Sequence, residues 1–190
     1  VPGQVLLLLL LLLLFLCFLG SGPKSKISRP LPEPLHTQGL LREAQNKGKG
    51  VLMLFRHNVF LEMSARLISE NFDIYGMERP NNSEVMQKVI KSGRLKAMKG
   101  LASNKNVNET VEWLKKGRTV LYGPDQDYRN KRSVVSTFFG KDCLTTTVPY
   151  TLKKLTNCKL FYLDFYRDGN GYKFGSPNKL QKYTQSVKKV

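Results

Sequence analysis

Residues 5–19 are all apolar, and beyond residue 22 the chain changes to short apolar runs separated by amphipathic or polar stretches. Alternation of that kind predicts strands and helices in turn, the pattern of an α/β fold. Val51–Phe55 is a continuous apolar run, as expected of a strand buried on both faces. A short helix over 39–46, closed by Lys47-Gly48-Lys49-Gly50, leads into it, and a helix over 59–70 follows, with Val59, Phe60, Met63 and Leu67 at helical spacing. The next strand is expected over 72–75, and a helix over 83–98 places Val85, Val89 and Ile90 on one face. Asn106 or Asn108 caps a helix that runs through Lys116 and stops at Gly117. Thr119–Tyr122 is a further strand, and Thr145-Thr146-Thr147 opens a helix to about residue 157. Strands over 159–166 and 172–174 flank Asp168-Gly169-Asn170-Gly171, a hairpin turn. The predicted architecture is a mixed central sheet flanked by helices.

The N-terminal apolar run is shorter than the roughly 20 residues that cross a bilayer comfortably. Its length suits the apolar core of a signal peptide, and Gly20 to Gly22 offer small residues for cleavage, but no basic segment precedes it. Residues 1–22 are therefore expected to be a hydrophobic anchor or a signal-like segment. Lys24, Lys26 and Arg29 would keep the following flank on the cytoplasmic side. Residues 23–38 carry Pro23, Pro30, Pro32 and Pro34 and read as an extended linker. Residues 39–190 form the folded domain.

Charge narrows the partners. Lys and Arg number 31 against 14 Asp and Glu, a formal net charge of +17, which favours an anionic partner such as a membrane surface, a phosphorylated substrate or an acidic carrier protein. The basic residues form no long block, and no zinc finger, recognition helix or RNA-binding aromatic motif is present, so nucleic acid is not expected. Cys17, Cys143 and Cys158 form neither a C-x-x-C pair nor an even framework. They are expected to be free thiols, with no metal site among them.

In open α/β sheets, ligands bind beyond the carboxyl ends of the strands. His57 follows one predicted strand and Asp125-Gln126-Asp127 another, so if the two strands are neighbours these groups face a shared crevice. On one continuous helix His57 and Glu62 would lie about 140° apart. With His57 in the turn before the helix and Glu62 one turn inside it, the carboxylate reaches back to the imidazole and leaves the other ring nitrogen as a general base. The plainer alternative is a histidine satisfied by local backbone beside a solvated Glu62. Arg79, in Glu78-Arg79-Pro80-Asn81-Asn82, suits a phosphate or carboxylate, while Pro-Asn-Asn suits a turn and helix cap equally well. The two aspartates around Gln126 suit sugar hydroxyls or a metal, or simply a helix cap.

Taken in order, His57 to Glu62, Glu78-Arg79-Pro80-Asn81-Asn82, Gly93-Arg94, Leu114-Lys115-Lys116-Gly117, Tyr122-Gly123-Pro124-Asp125-Gln126-Asp127, Lys131-Arg132-Ser133, Phe138-Phe139-Gly140 and Thr145-Thr146-Thr147 resemble the bacterial lipid A biosynthesis acyltransferases. The likeness runs from about residue 39 to about residue 174 and is most specific at Pro124-Asp125-Gln126-Asp127 with the Lys-Arg-Ser that follows. It implies a glycerolipid acyltransferase-like fold. The implied reaction is transfer of a fatty acyl chain from acyl carrier protein to a hydroxyl of a Kdo-lipid A-type glycolipid in lipopolysaccharide biosynthesis, at the cytoplasmic face of the inner membrane. No cofactor and no metal are implied. In this family His57 would be the general base, oriented by Glu62, and Arg79, Asn82, Arg94, Asp125, Gln126, Asp127 and Arg132 would bind substrate or shape the site. The implied partners are acyl carrier protein, a phosphorylated glycolipid and an anionic membrane.

The chain departs from the family at Arg56 and Asn58, where Gly and Phe are common around the histidine; a cation beside the base is expected to disturb or crowd it. The Trp-x-His-Arg-Arg-Phe segment expected near the family's C-terminus is absent, so the domain over 39–190 is expected to be truncated there. Two competing functions remain compatible with the same residues: a glycerophospholipid acyltransferase of the lysophosphatidate type, and an inactive basic membrane-surface protein.

Overall fold

The computed structural model describes residues 35–58, 61–126, 133–168 and 171–175. The apolar segment 5–19, the prolines of the linker, Cys17, Asp127, Lys131 and Arg132 lie outside the described residues. Among the described residues no helix is long and apolar enough to cross a membrane.

Five parallel strands make the body of the sheet, in the order β3 (Gly100–Ser103), β2 (Ile74–Glu78), β4 (Thr119–Tyr122), β1 (Val51–Phe55) and β7 (Lys159–Asp168). An antiparallel edge strand, β8 (Gly171–Gly175), pairs with β7 and makes the sheet mixed, as predicted. β1 reads as unbroken apolar sequence because it sits between β4 and β7 with both faces covered, Leu52 lying opposite Val120 on one side and Leu160 on the other. Successive residues supply opposite layers. Val51 and Met53 join Leu41, Ala65, Ile68 and Phe72 on one face, whereas Leu52 joins Leu114, Val120, Leu152 and Cys158 on the other.

The first layer is closed by α1 (Leu35–Asn46) and α2 (Leu61–Ser69), the second by α4 (Val107–Lys115) and α5 (Val148–Thr156). Between them in sequence, α3 (Glu84–Arg94) buries no residue fully; it covers a cleft instead of core. Ser83 caps α3 by accepting a hydrogen bond from the Met86 N–H.

Several boundaries differ from expectation. α1 begins at Leu35, four residues before Gly39. β2 starts at Ile74, and Phe72, 5% exposed, is a core plug between α2 and the strand. α3 stops at Arg94, where the C-terminal side chain is drawn to two carboxylates. β3 is an unpredicted edge strand. The threonine cluster splits: Thr145 and Thr146 end an antiparallel hairpin of β5 (Ser133–Phe138) and β6 (Lys141–Thr146), pairing with Val134 and Ser133, and only Thr147 stands at the N-cap of α5. β-branched residues suit a strand better than a helix, and here a partner strand exists to receive them. Cys143 and Cys158 are both free thiols.

Candidate active site

The parallel pairing of β1 with β4, Leu54 opposite Tyr122, brings the chain out of both strands at the same end of the sheet. The loop after β1 carries His57 and the loop after β4 carries Asp125, so the two meet although 68 residues separate them. One oxygen of Asp125, Oδ2, accepts from the His57 backbone N–H at 2.6 Å, and the other, Oδ1, lies 2.6 Å from ring Nδ1. This double contact sets both the loop and the ring. A carboxylate on Nδ1 favours the tautomer with its proton there and leaves Nε2 as the acceptor. The Gln126 amide nitrogen is 3.5 Å from Nε2, a weak contact with the acceptor position.

Two further neighbours define the ring's seat. Phe55 meets it edge-on, with ring centroids 5.5 Å apart. Gly123 passes so close beneath that a Cβ there would lie 2.7 Å from His57 Cε1 and 2.7 Å from Phe55 Cε2. Only glycine leaves that space.

Arg56 does not crowd His57, contrary to the expectation from sequence. Its guanidinium turns to β7 and grips Asp164, with Nε 3.0 Å from Oδ1 and Nη2 3.3 Å from Oδ2.

Glu62 is not the partner of His57 in this structure. Both side chains line the same cleft, but the carboxylate of Glu62 accepts from Arg94 at 2.6 Å through Nη2 and 3.0 Å through Nε. The reason is a stronger competitor: a guanidinium fork offers charge-assisted, paired hydrogen bonds that a single imidazole N–H cannot match. Arg94 also donates to Glu78 at 2.9 Å, and the other Glu78 oxygen accepts from Gln87 at 2.7 Å. Gln87 in turn accepts from the Asn81 N–H at 2.7 Å, which ties the Arg79-Pro80-Asn81 loop to α3. The Glu78 side chain is only 7% exposed and so depends on these bonds. Burial acts against the charge on Arg94, but Glu62 and Glu78 outweigh it and hold the guanidinium above its ordinary range.

These groups stand around a cleft of about 550 Å³ at the carboxyl ends of β2, β4 and β1. Its walls combine apolar side chains, Leu61, Ala65, Met86, Ile90, Met98 and Leu101 among them, with the Glu62, Glu78, Gln87 and Arg94 network, and His57, Arg79, Asn82 and Gln126 add further polar groups. Arg79 and Asn82 are exposed, and the Arg79 guanidinium forms no ion pair with any described residue. Among the described residues no cluster of His, Cys, Asp or Glu is arranged to hold a metal.

Of the residues named from sequence, His57, Glu62, Arg79, Asn82, Arg94 and Gln126 line one cleft and Asp125 bonds His57 beside it; Asp127 and Arg132 lie outside the described residues. Sequence reasoning missed Glu78 and Gln87 as members of the polar network. The signal was there: a carboxylate ending the apolar strand Ile74–Glu78 demands a buried partner.

A family model described as bacterial lipid A biosynthesis acyltransferase matches residues 23–188. The chain is 30% identical over 146 residues to the lipid A biosynthesis palmitoleoyltransferase of Escherichia coli (strain K12), covering 75% of this chain and 48% of that protein. Over 139 residues it is 31% identical to the lipid A biosynthesis acyltransferase of Haemophilus influenzae, covering 71% and 45%. It is also 31% identical over 135 residues to the lipid A biosynthesis lauroyltransferase of Escherichia coli (strain K12), covering 70% and 44%. The chain spans about half the length of the curated relatives it matches. It belongs to the bacterial lipid A biosynthesis acyltransferase family.

Proposed function

We propose that the protein transfers a fatty acyl chain from acyl carrier protein to a hydroxyl of a Kdo-lipid A-type glycolipid in lipopolysaccharide biosynthesis, at the cytoplasmic face of the inner membrane. One observation carries this: an imidazole held by a carboxylate beside a cleft whose walls are partly apolar. The imidazole suits proton transfer, and the apolar part of the wall suits a hydrocarbon chain.

In the proposed reaction His57 Nε2 accepts the proton of the acceptor hydroxyl as its oxygen attacks the thioester carbonyl carbon. The C–S bond then breaks, and the carrier's sulfur takes the proton back from the imidazolium. Asp125 holds the ring throughout and stabilises its cationic form. Direct transfer accords with the two described thiols: Cys158 is buried on the far layer of the sheet, Cys143 lies in the β5–β6 hairpin, and neither lines the cleft.

Arg79 meets a phosphate of the acceptor, and Asn82 and Gln126 bond its hydroxyls. Glu62 takes a different part from the one its spacing suggested, anchoring Arg94 and with it the junction of α2, α3 and β2. Asp127 and Arg132 are added as substrate contacts by family resemblance alone.

The test is transfer of radiolabelled acyl chain from carrier protein to Kdo-lipid A by the wild type and by His57→Ala and Asp125→Asn. Loss of transfer in both variants is expected; undiminished transfer by His57→Ala would overturn the assignment of the base. Turnover of lysophosphatidate without turnover of lipid A precursor would overturn the acceptor.

A further inference from the structure

The β5–β6 hairpin stands apart from the main sheet, and its turn is built against local preference. Phe138 lies opposite Lys141, so Phe139 and Gly140 form a two-residue turn. Both have positive φ, 49° at Phe139 and 74° at Gly140. That is the geometry for which Asn-Gly or Asp-Gly is the ordinary choice, and a bulky residue in the left-handed region is strained. The phenyl ring is not packed into the protein's core, since Phe139 is 92% exposed and Phe138 66%. The two rings meet edge to face, with centroids 4.6 Å apart. Val134 and Val135, on opposite faces of the ribbon, are exposed as well.

We infer that the β5–β6 hairpin is a membrane wedge that inserts Phe138 and Phe139 into the interface of an anionic lipid bilayer. The exposed aromatic surface at the turn is small. Two aromatic side chains bury about 150–250 Å² each, short of the roughly 800 Å² per partner that a specific protein interface needs. A fluid bilayer has no such requirement. Charge adds to the fit: Lys141 stands on the same face as Phe138, and the chain carries +17 overall. Asp142 is on the opposite face, across from Thr137.

The hairpin's root gives the wedge a purpose. Thr146, at its end, is buried against the hydroxyl of Tyr122, 3.5 Å away, and Tyr122 lines the cleft. An inserted tip therefore holds the cleft mouth at the surface from which a lipid acceptor arrives. The inference rests on the proposed function only in taking that acceptor to be a lipid.

The apolar run 5–19 is itself capable of holding the chain on vesicles, so the readout must be local to the tip. Trp113 is the one native tryptophan. Phe139→Trp, and separately Phe138→Trp, are made in the full chain, with Lys116→Trp as a control at the opposite end of β4. Each is mixed with phosphatidylglycerol-containing vesicles whose lipids are brominated high on the acyl chains. After subtraction of the parent signal, quenching of the tip tryptophan about threefold or more above that of the control is expected. Equal access of aqueous iodide to the tip with and without bound vesicles would overturn the wedge. So would shielding that needs only a higher protein concentration, or only acyl carrier protein. Tip quenching without acyl transfer would leave the wedge standing and remove the proposed reaction.

Discussion

Asp125 holds His57 at two points, accepting from its backbone N–H and bonding ring Nδ1, each at 2.6 Å. A partner that grips the loop as well as the ring determines where the imidazole stands and which nitrogen it presents.

Loss of that grip should appear in turnover. His57→Ala is expected to lower kcat by about 10²–10⁴, the usual contribution of a positioned acid–base group. Asp125→Asn should lower kcat by at least about 10², because the amide can favour the wrong tautomer. Steady-state acyl transfer alongside thermal unfolding checks this: His57 and Asp125 are 41% and 32% exposed as side chains, so the melting temperature should barely move.

Glu62 should behave differently. Glu62→Gln weakens one arm of the Arg94 fork and is expected to cost about 1–3 kcal/mol of stability, as for a hydrogen bond to a charged group. Its kcat should fall less than that of Asp125→Asn. Urea denaturation paired with kinetics separates the two carboxylates; a larger kcat loss at Glu62 would return the orienting role to it.

Arg94→Ala is the harsher change. It leaves Glu78, 7% exposed, without its cation, and breaking a buried pair from one side costs about 3–5 kcal/mol. Arg94→Lys should recover little, since an ammonium lacks the fork that reaches both Glu62 and Glu78. The denaturation midpoints of the two variants should therefore lie close together.

At Arg79 the expected pattern is reversed. The side chain is exposed and pairs with no described residue, so Arg79→Ala should leave unfolding unchanged. It should raise KM for a phosphorylated acceptor about tenfold, the loss of one charge-assisted contact. Arg79→Lys should restore part of that affinity, in a salt-dependent manner.

Gly123→Ala tests the seat beneath the ring. The added methyl would stand 2.7 Å from both His57 Cε1 and Phe55 Cε2, so the ring must move. Overpacking of this kind costs about 1–3 kcal/mol. A kcat loss larger than that expected from unfolding alone would show that the ring's position matters to the reaction.

The strands most legible in the sequence were the central pair β1 and β4, mostly or wholly buried, because apolar runs need no knowledge of their neighbours. β3 was hidden: Gly100 to Ser103 has little strand character, and it becomes a strand by pairing with β2, Tyr75 opposite Gly100. The same limit governed the site. Spacing along the chain placed His57 and Asp125 at the ends of two strands and Glu62 one turn into a helix. It carried no information about the competition between an imidazole and a guanidinium 32 residues further on, and that competition decides where Glu62 points.

The adjacency of β1 and β4 also bears on synthesis. Strand β4 enters the sheet between β2 and β1, which precede it in the chain, so those two cannot be joined until it arrives. A nascent chain that has emerged only as far as α4 carries the histidine without its carboxylate. The proposed proton-transfer pair is thus assembled only once the strand bearing Asp125 at its end is inserted, so its formation is timed by folding.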